Sequence, residues 1–145
     1  MAQFKNLEDA INADKKKMLK FVQEVPEIIA SELKNQIMEN FDSESFDGKK
    51  WKKVNKLLPK KAYILKPIVF NTGGLKESIE IVSATWNKIQ IQTNNREYAE
   101  IHNKGGINKN GARIPKRQFM GHGKAADALI KKTLDEEMHN RGIVQ

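Results

Sequence analysis

Ile79-Glu80-Ile81-Val82-Ser83-Ala84-Thr85-Trp86-Asn87-Lys88-Ile89-Gln90-Ile91-Gln92-Thr93 is the stretch whose reading decides the fold. Ile79 and Ile81 alternate with Glu80 and lead to Trp86, while Ile89, Ile91 and Thr93 alternate with Gln90 and Gln92. A period of two puts one face of each run inward and the other in water. Two half-buried strands are therefore predicted. Their short connection around Thr85 to Lys88 makes them an antiparallel hairpin, because a parallel crossover needs a dozen residues or more.

On the C-terminal side, Arg96 and Glu97 begin a short helix with an apolar face at Tyr98, Ile101 and His102. Gly105 and Gly106 stop it, since glycine takes the left-handed C-cap without penalty. From Gly105 to Lys116 the chain carries three glycines and three positive charges and has almost nothing to bury, which predicts a mobile basic loop. Ile114 and Pro115 return the chain to order, and Phe119 is expected to rejoin the sheet. From Lys124 a last helix places Ala125, Ala128, Leu129, Leu134 and Met138 on one face and ends at Arg141 and Gly142.

On the N-terminal side, Asn71 or Thr72 is expected to cap a short helical turn that sets Leu75, Ser78 and Ile79 on neighbouring positions. Ile64 to Phe70 suits a short edge strand, where Pro67 is tolerated because an edge need not use every amide. Asp47 and Gly48 form a turn that presents Trp51 to the core as an anchor. Further back, Phe4, Leu7, Ile11, Met18, Phe21, Val25 and Ile28 recur at helical spacing, with Asp14 breaking the stripe. Pro26 lacks an amide hydrogen, so a kink or a restart is expected there, followed by Ile29, Leu33, Ile37 and Phe41 at steps of four. Packing of the stripe against a sheet is favoured over a partner-binding helix. The fold class is α+β: a small antiparallel sheet packed with a long N-terminal helical segment over 4–41 and a C-terminal helix.

The chain has 145 residues, a length that suits one domain over 1–145. Hydrophobic residues make up 39%, charged residues 30%, and the mean hydropathy of −0.65 is that of a soluble globular protein. No apolar run approaches the roughly 20 residues needed to span a bilayer, so no membrane association is expected. The N-terminus lacks the apolar core of a signal peptide, and a cytoplasmic protein is expected. Cysteine is absent, which removes disulfides and thiolate chemistry together.

A search for reactive constellations finds little. His102, His122 and His139 are the only histidines, and none has the spacing of a helical zinc site. His102 is better read as a satisfied structural histidine than as a base. No glycine-flanked serine elbow or phosphate-cradling loop occurs, and Gly121 and Gly123 are read as loop and helix-start glycines. No catalytic residue, cofactor or metal is assigned. Arg117, flanked by Pro115 and Phe119, suits a fixed clamp on a carboxylate or backbone carbonyl and equally suits an exposed surface position.

Three blocks together resemble the phage virion morphogenesis family, the tail-completion proteins of Mu-like and P2-like phages. The first is Phe41, Phe46, Asp47, Gly48 and Trp51; the second is Thr72, Gly73, Leu75, Ser78 and Ile79. The third is Tyr98, Ala99, Ile101, His102 and Gly105, then Ile114, Pro115, Arg117, Phe119 and Gly121. Phe46 stands where proline is expected, and Asn71 where aspartate is commoner. The resemblance implies a non-enzymatic assembly protein acting at tail completion or head-tail joining as the subunit of an oligomeric ring. It implies contacts with copies of itself and with other tail or connector proteins, first in the host cytoplasm and then in the virion.

Net charge is +8 and the pI is near 9.6. Lys49, Lys50, Lys52, Lys53, Lys56, Lys60 and Lys61 concentrate this charge around Trp51. A solvated face, a phosphate-contacting patch and a surface for an acidic protein all fit such a run. DNA binding is the alternative function. It lacks a base-reading motif and is not favoured.

Overall fold

The computed structural model describes residues 7–52, 73–94, 96–107, 111 and 113–143. Helix α1 spans Leu7–Ser43, and helix α2 spans Gly73–Glu77. Between them, strands β1 (Ser45–Phe46) and β2 (Lys49–Lys50) pair antiparallel. Strands β3 (Ile79–Ala84) and β4 (Ile89–Thr93) form the hairpin expected from the alternation, with Ile79 opposite Thr93 and Ile81 opposite Ile91. Thr85 and Lys88 close its turn through two backbone hydrogen bonds, Thr85 N–H to Lys88 C=O at 2.9 Å and the reverse at 3.2 Å. Helix α3 (Arg96–Lys104) follows, then a two-residue ladder of β5 (Gly106–Ile107) with β6 (Arg113–Ile114), and finally helix α4 (Lys124–Asn140). This is an α+β fold, and the three ladders are separate among the described residues.

Two apolar clusters hold these elements. Phe21, Val25 and Ile29 of α1 meet Ile89 of β4 and Ile130, Leu134 and Met138 of α4. Farther along α1, Phe41 joins Trp51, Leu75, Ile79, Ala99 and Phe119. Phe41 and Phe119 are among the most completely buried side chains. Ring centroids lie 4.9 Å apart for Phe41 and Phe119 and 5.7 Å for Phe41 and Trp51, the latter edge to face. Such offset or edge contacts are the favourable arrangement of aromatic quadrupoles. Burying each of these side chains contributes about 1.5 to 3 kcal/mol.

Four expectations are corrected. Helix α1 does not restart at Pro26 but runs through it as one 37-residue element. Pro26 is buried, and the carbonyl it leaves without a helical donor, that of Val22, accepts from the indole of Trp86. The N-terminal stripe is not core along its whole length, because Leu7, Ile11 and Met18 are exposed and packing begins at Phe21. Phe119 does not rejoin a sheet; it is buried in irregular backbone outside any strand. In α4 the expected inward face holds at Leu134 and Met138, which pack with Ile130 against the α1 cluster, but not at Ala125 and Ala128, which are exposed. Alanine's helix propensity, rather than burial, accounts for those two positions.

Phe4, the edge strand at 64–70 and the capping residues Asn71 and Thr72 lie outside the described residues, as do Lys53, Lys56, Lys60 and Lys61. The α2 turn that Asn71 or Thr72 was expected to begin is present, and Ser78 follows it with its hydroxyl donating to Leu75 C=O at 2.7 Å.

Candidate interaction site around the 117–120 strap

Asp47 and Gly48 form the two-residue loop of the β1–β2 hairpin, with φ of 50° and 82°. Positive φ at both positions is what a type I′ turn needs, and Asp-Gly is a preferred pair for it. The hairpin reverses the chain after α1 and delivers Trp51 to the core, 8% exposed, with its amide donating to Glu44 C=O at 2.7 Å. The same turn aims the Asp47 carboxylate at the start of α4. One oxygen accepts from Ala125 N–H at 2.8 Å and the other from Lys124 N–H at 3.3 Å. The helix's own N-cap residue, Gly123, has no side chain for this task. Asp47 therefore caps α4 from 77 residues away, and its negative charge meets the positive end of the helix dipole.

Between α3 and α4 runs an irregular segment, Arg117 to Met120, whose backbone groups are paired by partners from elsewhere in the fold. Arg117 N–H donates to His102 C=O at 2.8 Å. Gln118 C=O accepts from the Trp51 indole at 2.8 Å, and Phe119 C=O accepts from the Asn40 amide at 2.8 Å. The side-chain oxygen Oδ1 of Asn103 accepts from both Phe119 N–H at 3.1 Å and Met120 N–H at 3.2 Å. Buried backbone groups need partners, and here side chains supply what a neighbouring strand would supply in a sheet. This strap takes Phe119 into the core without making it a strand residue.

His102 sits under the strap, 6% exposed. Burial first, and then the nearby Arg117 charge, push its pKa down to about 4. It is therefore neutral at physiological pH. Gly105, with φ of 75°, ends α3 as expected and donates its N–H to Ile101 C=O at 2.8 Å. The following stretch departs from the irregular loop expected between Gly105 and Lys116: Gly106 and Ile107 pair with Ile114 and Arg113. Ile107 is 70% exposed there, and Arg113 and Lys116 are exposed near it in the chain.

The structure thus brings Trp51, His102, Arg117 and Phe119 together around one strap, with Gly105 and Pro115 at its approaches. Thr72 is outside the described residues, Gly73 begins α2 and Tyr98 lies within α3. Lys49, Lys50 and Lys52 are exposed, and Lys49 and Lys50 border a cleft with Trp51, Phe46, Lys116 and Gln118. On the other side of the Asp47 turn, a cleft of about 360 Å³ is lined by Leu33, Ile37, Ile91, Met120 and Ile130. Among the described residues no three histidine, aspartate or glutamate side chains gather as a metal site. Among the described residues no helix is long and apolar enough to cross a membrane.

Asp47, Asn103 and Asn40 are the structural roles that sequence reasoning missed. The Asp-Gly pair marked Asp47 as a turn residue, but nothing local signalled that its carboxylate caps a distant helix. Asn40 and Asn103 lie on helices and carry no motif.

A model of the phage virion morphogenesis family matches residues 2–139. Comparison with curated proteins and with solved structures gave no match.

Proposed function

The chain belongs to the phage virion morphogenesis family, which gives it a structural or assembly role in building the virion, and on that premise we propose that it acts without catalysis in tail completion or head-tail joining, as the subunit of an oligomeric ring. The family match across residues 2–139 carries this reading. Geometry supports it in a specific way. The 117–120 strap is tied by hydrogen bonds to α1, α3 and Trp51, and the preceding chain exposes Ile107 and Arg113 of the β5–β6 ladder and Lys116 after it. A ring needs one patch on each copy to meet a different patch on the next, and an exposed apolar and basic stretch beside the strap suits one side of such a contact.

Deleting the gene from its phage or prophage and viewing the induced lysate by electron microscopy tests the proposal. Filled heads lying apart from tails, or tails with defective ends, are the expected result. Normal infectious particles would overturn it.

DNA binding is the second reading, favoured by one observation: Lys49, Lys50 and Lys116 border the Trp51 cleft in a chain of net charge +8. It predicts affinity for duplex DNA whose logarithm falls with log salt by about 0.9 per phosphate neutralised.

A further inference from the structure

The first half of α1 carries an apolar face that nothing covers among the described residues. Leu7 is 75% exposed, Ile11 45%, Met18 45%, Leu19 60% and Val22 46%. Ile11, Asp14, Lys15, Met18, Leu19 and Val22 line one open groove along the helix. Helical spacing concentrates these side chains on a single stripe, and hydration of apolar area costs about 25 cal/mol per Å². An exposed apolar stripe of this length, interrupted only by Asp14 and Lys15, marks an interaction surface.

We infer that this face pairs with the same face of a second copy of the chain, the two helices lying antiparallel about a two-fold axis level with Asp14 and Lys15. Three observations select this occupant. The first is register. Leu7, Ile11, Asp14, Lys15, Met18 and Val22 are separated by four, three, one, three and four residues, so the seam has the same spacing from either end. Reversal lays Leu7 beside Val22 of the second copy and Ile11 beside its Met18, as a self-complementary two-fold contact requires.

The second observation is charge. In the antiparallel pair the central layer holds Asp14 of one copy with Lys15 of the other. A parallel pair in register would set Asp14 against Asp14 and Lys15 against Lys15, which is unfavourable. The third is the placement of the rest of the molecule. Packing onto α1 begins at Phe21, so antiparallel helices hold the two bodies at opposite ends of the pair. Parallel helices would bring together two bodies of a chain with net charge +8, against their repulsion. Where Leu7 of the second copy arrives, Trp86 stands 46% exposed beside Val22 and extends the apolar surface. The contact does not depend on the virion role, because it closes on itself and uses none of the strap or the β5–β6 ladder.

Absence of cysteine makes the test direct, since engineered thiols have no background. The full-length variants Leu7→Cys and Val22→Cys are mixed and oxidised. The mixed disulfide dimer is expected to be the main product, in several-fold excess over either homodimer. Sedimentation equilibrium from about 1 to 100 µM should show a monomer-dimer equilibrium, the range expected of a small interface. Ile11→Asp and Met18→Asp, both at exposed positions, should leave the helical circular dichroism unchanged and weaken the dimer at least about tenfold. A chain that stays monomeric throughout, a Leu7→Cys homodimer as abundant as the mixed product, or association indifferent to both aspartate variants would each overturn the inference.

Discussion

The indole nitrogen of Trp86 donates to the carbonyl oxygen of Val22 at 2.7 Å. Val22 is four residues before Pro26, so its carbonyl is the one that loses its helical partner when proline supplies no N–H. The hairpin turn thereby repairs the interior of α1, and the Trp86 ring stacks on Phe21 at 5.4 Å in the same contact. Proline inside a helix costs about 3 kcal/mol, and a replacement donor recovers part of that loss.

Trp86→Phe keeps a ring against Phe21 but removes the donor. A loss of about 1 to 2 kcal/mol in urea unfolding is expected. Pro26→Ala restores the amide, so Trp86→Phe should cost measurably less in that background. Equal costs in the two backgrounds would show that the indole bond and the proline are not coupled.

Asp47→Ala removes the cap on α4 and should destabilise by about 1 to 2 kcal/mol. Gly123→Ser is expected to recover part of the loss in the Asp47→Ala background. Gly123 has φ of −156° and ψ of 170°, the extended conformation of an N-cap. With Asp47 present, the added Cβ would lie 3.1 Å from its carboxyl carbon, so the same change alone should give no gain. Thermal melts of the four proteins decide the point.

Asn103→Ala leaves the amides of Phe119 and Met120 without their acceptor. A fully buried, unpaired amide costs about 1 to 3 kcal/mol, and these two partly buried ones should together cost about that much. Hydrogen exchange at these two positions should accelerate, while exchange in the β3–β4 hairpin stays as in the parent. Asn103→Asp keeps an oxygen acceptor and should be the milder change.

His102 sets a pH dependence whose sign follows from its lowered pKa of about 4, against an ordinary value of 6.5. Between these values the unfolded chain binds a proton that the folded chain does not, so acid favours unfolding. The stabilising contribution is complete above about pH 6.5 and is lost progressively toward pH 4. His102→Gln should flatten the melting temperature over that window. A melting profile as steep as the parent's would assign the acid sensitivity to other groups.

The sequence by itself determined the elements whose signals are local. Alternation fixed the Ile79–Thr93 hairpin, Gly105 fixed the end of the following helix, and Asp47-Gly48 fixed a turn, because strand period and left-handed backbone depend on neighbouring residues alone. The family was legible too, from short blocks in order. The tertiary structure decided which apolar positions find partners: a stripe at helical spacing, broken at Asp14, runs from Leu7 through Val25, yet packing on it begins at Phe21. It also decided the continuity of α1 through Pro26, the route of Phe119 and the capping of α4. In each of those cases the satisfying group, Trp86, Asn103 or Asp47, comes from a distant part of the chain. A hydrogen bond between residues far apart leaves no periodic trace in the sequence, and only the packed molecule brings its donor and acceptor together.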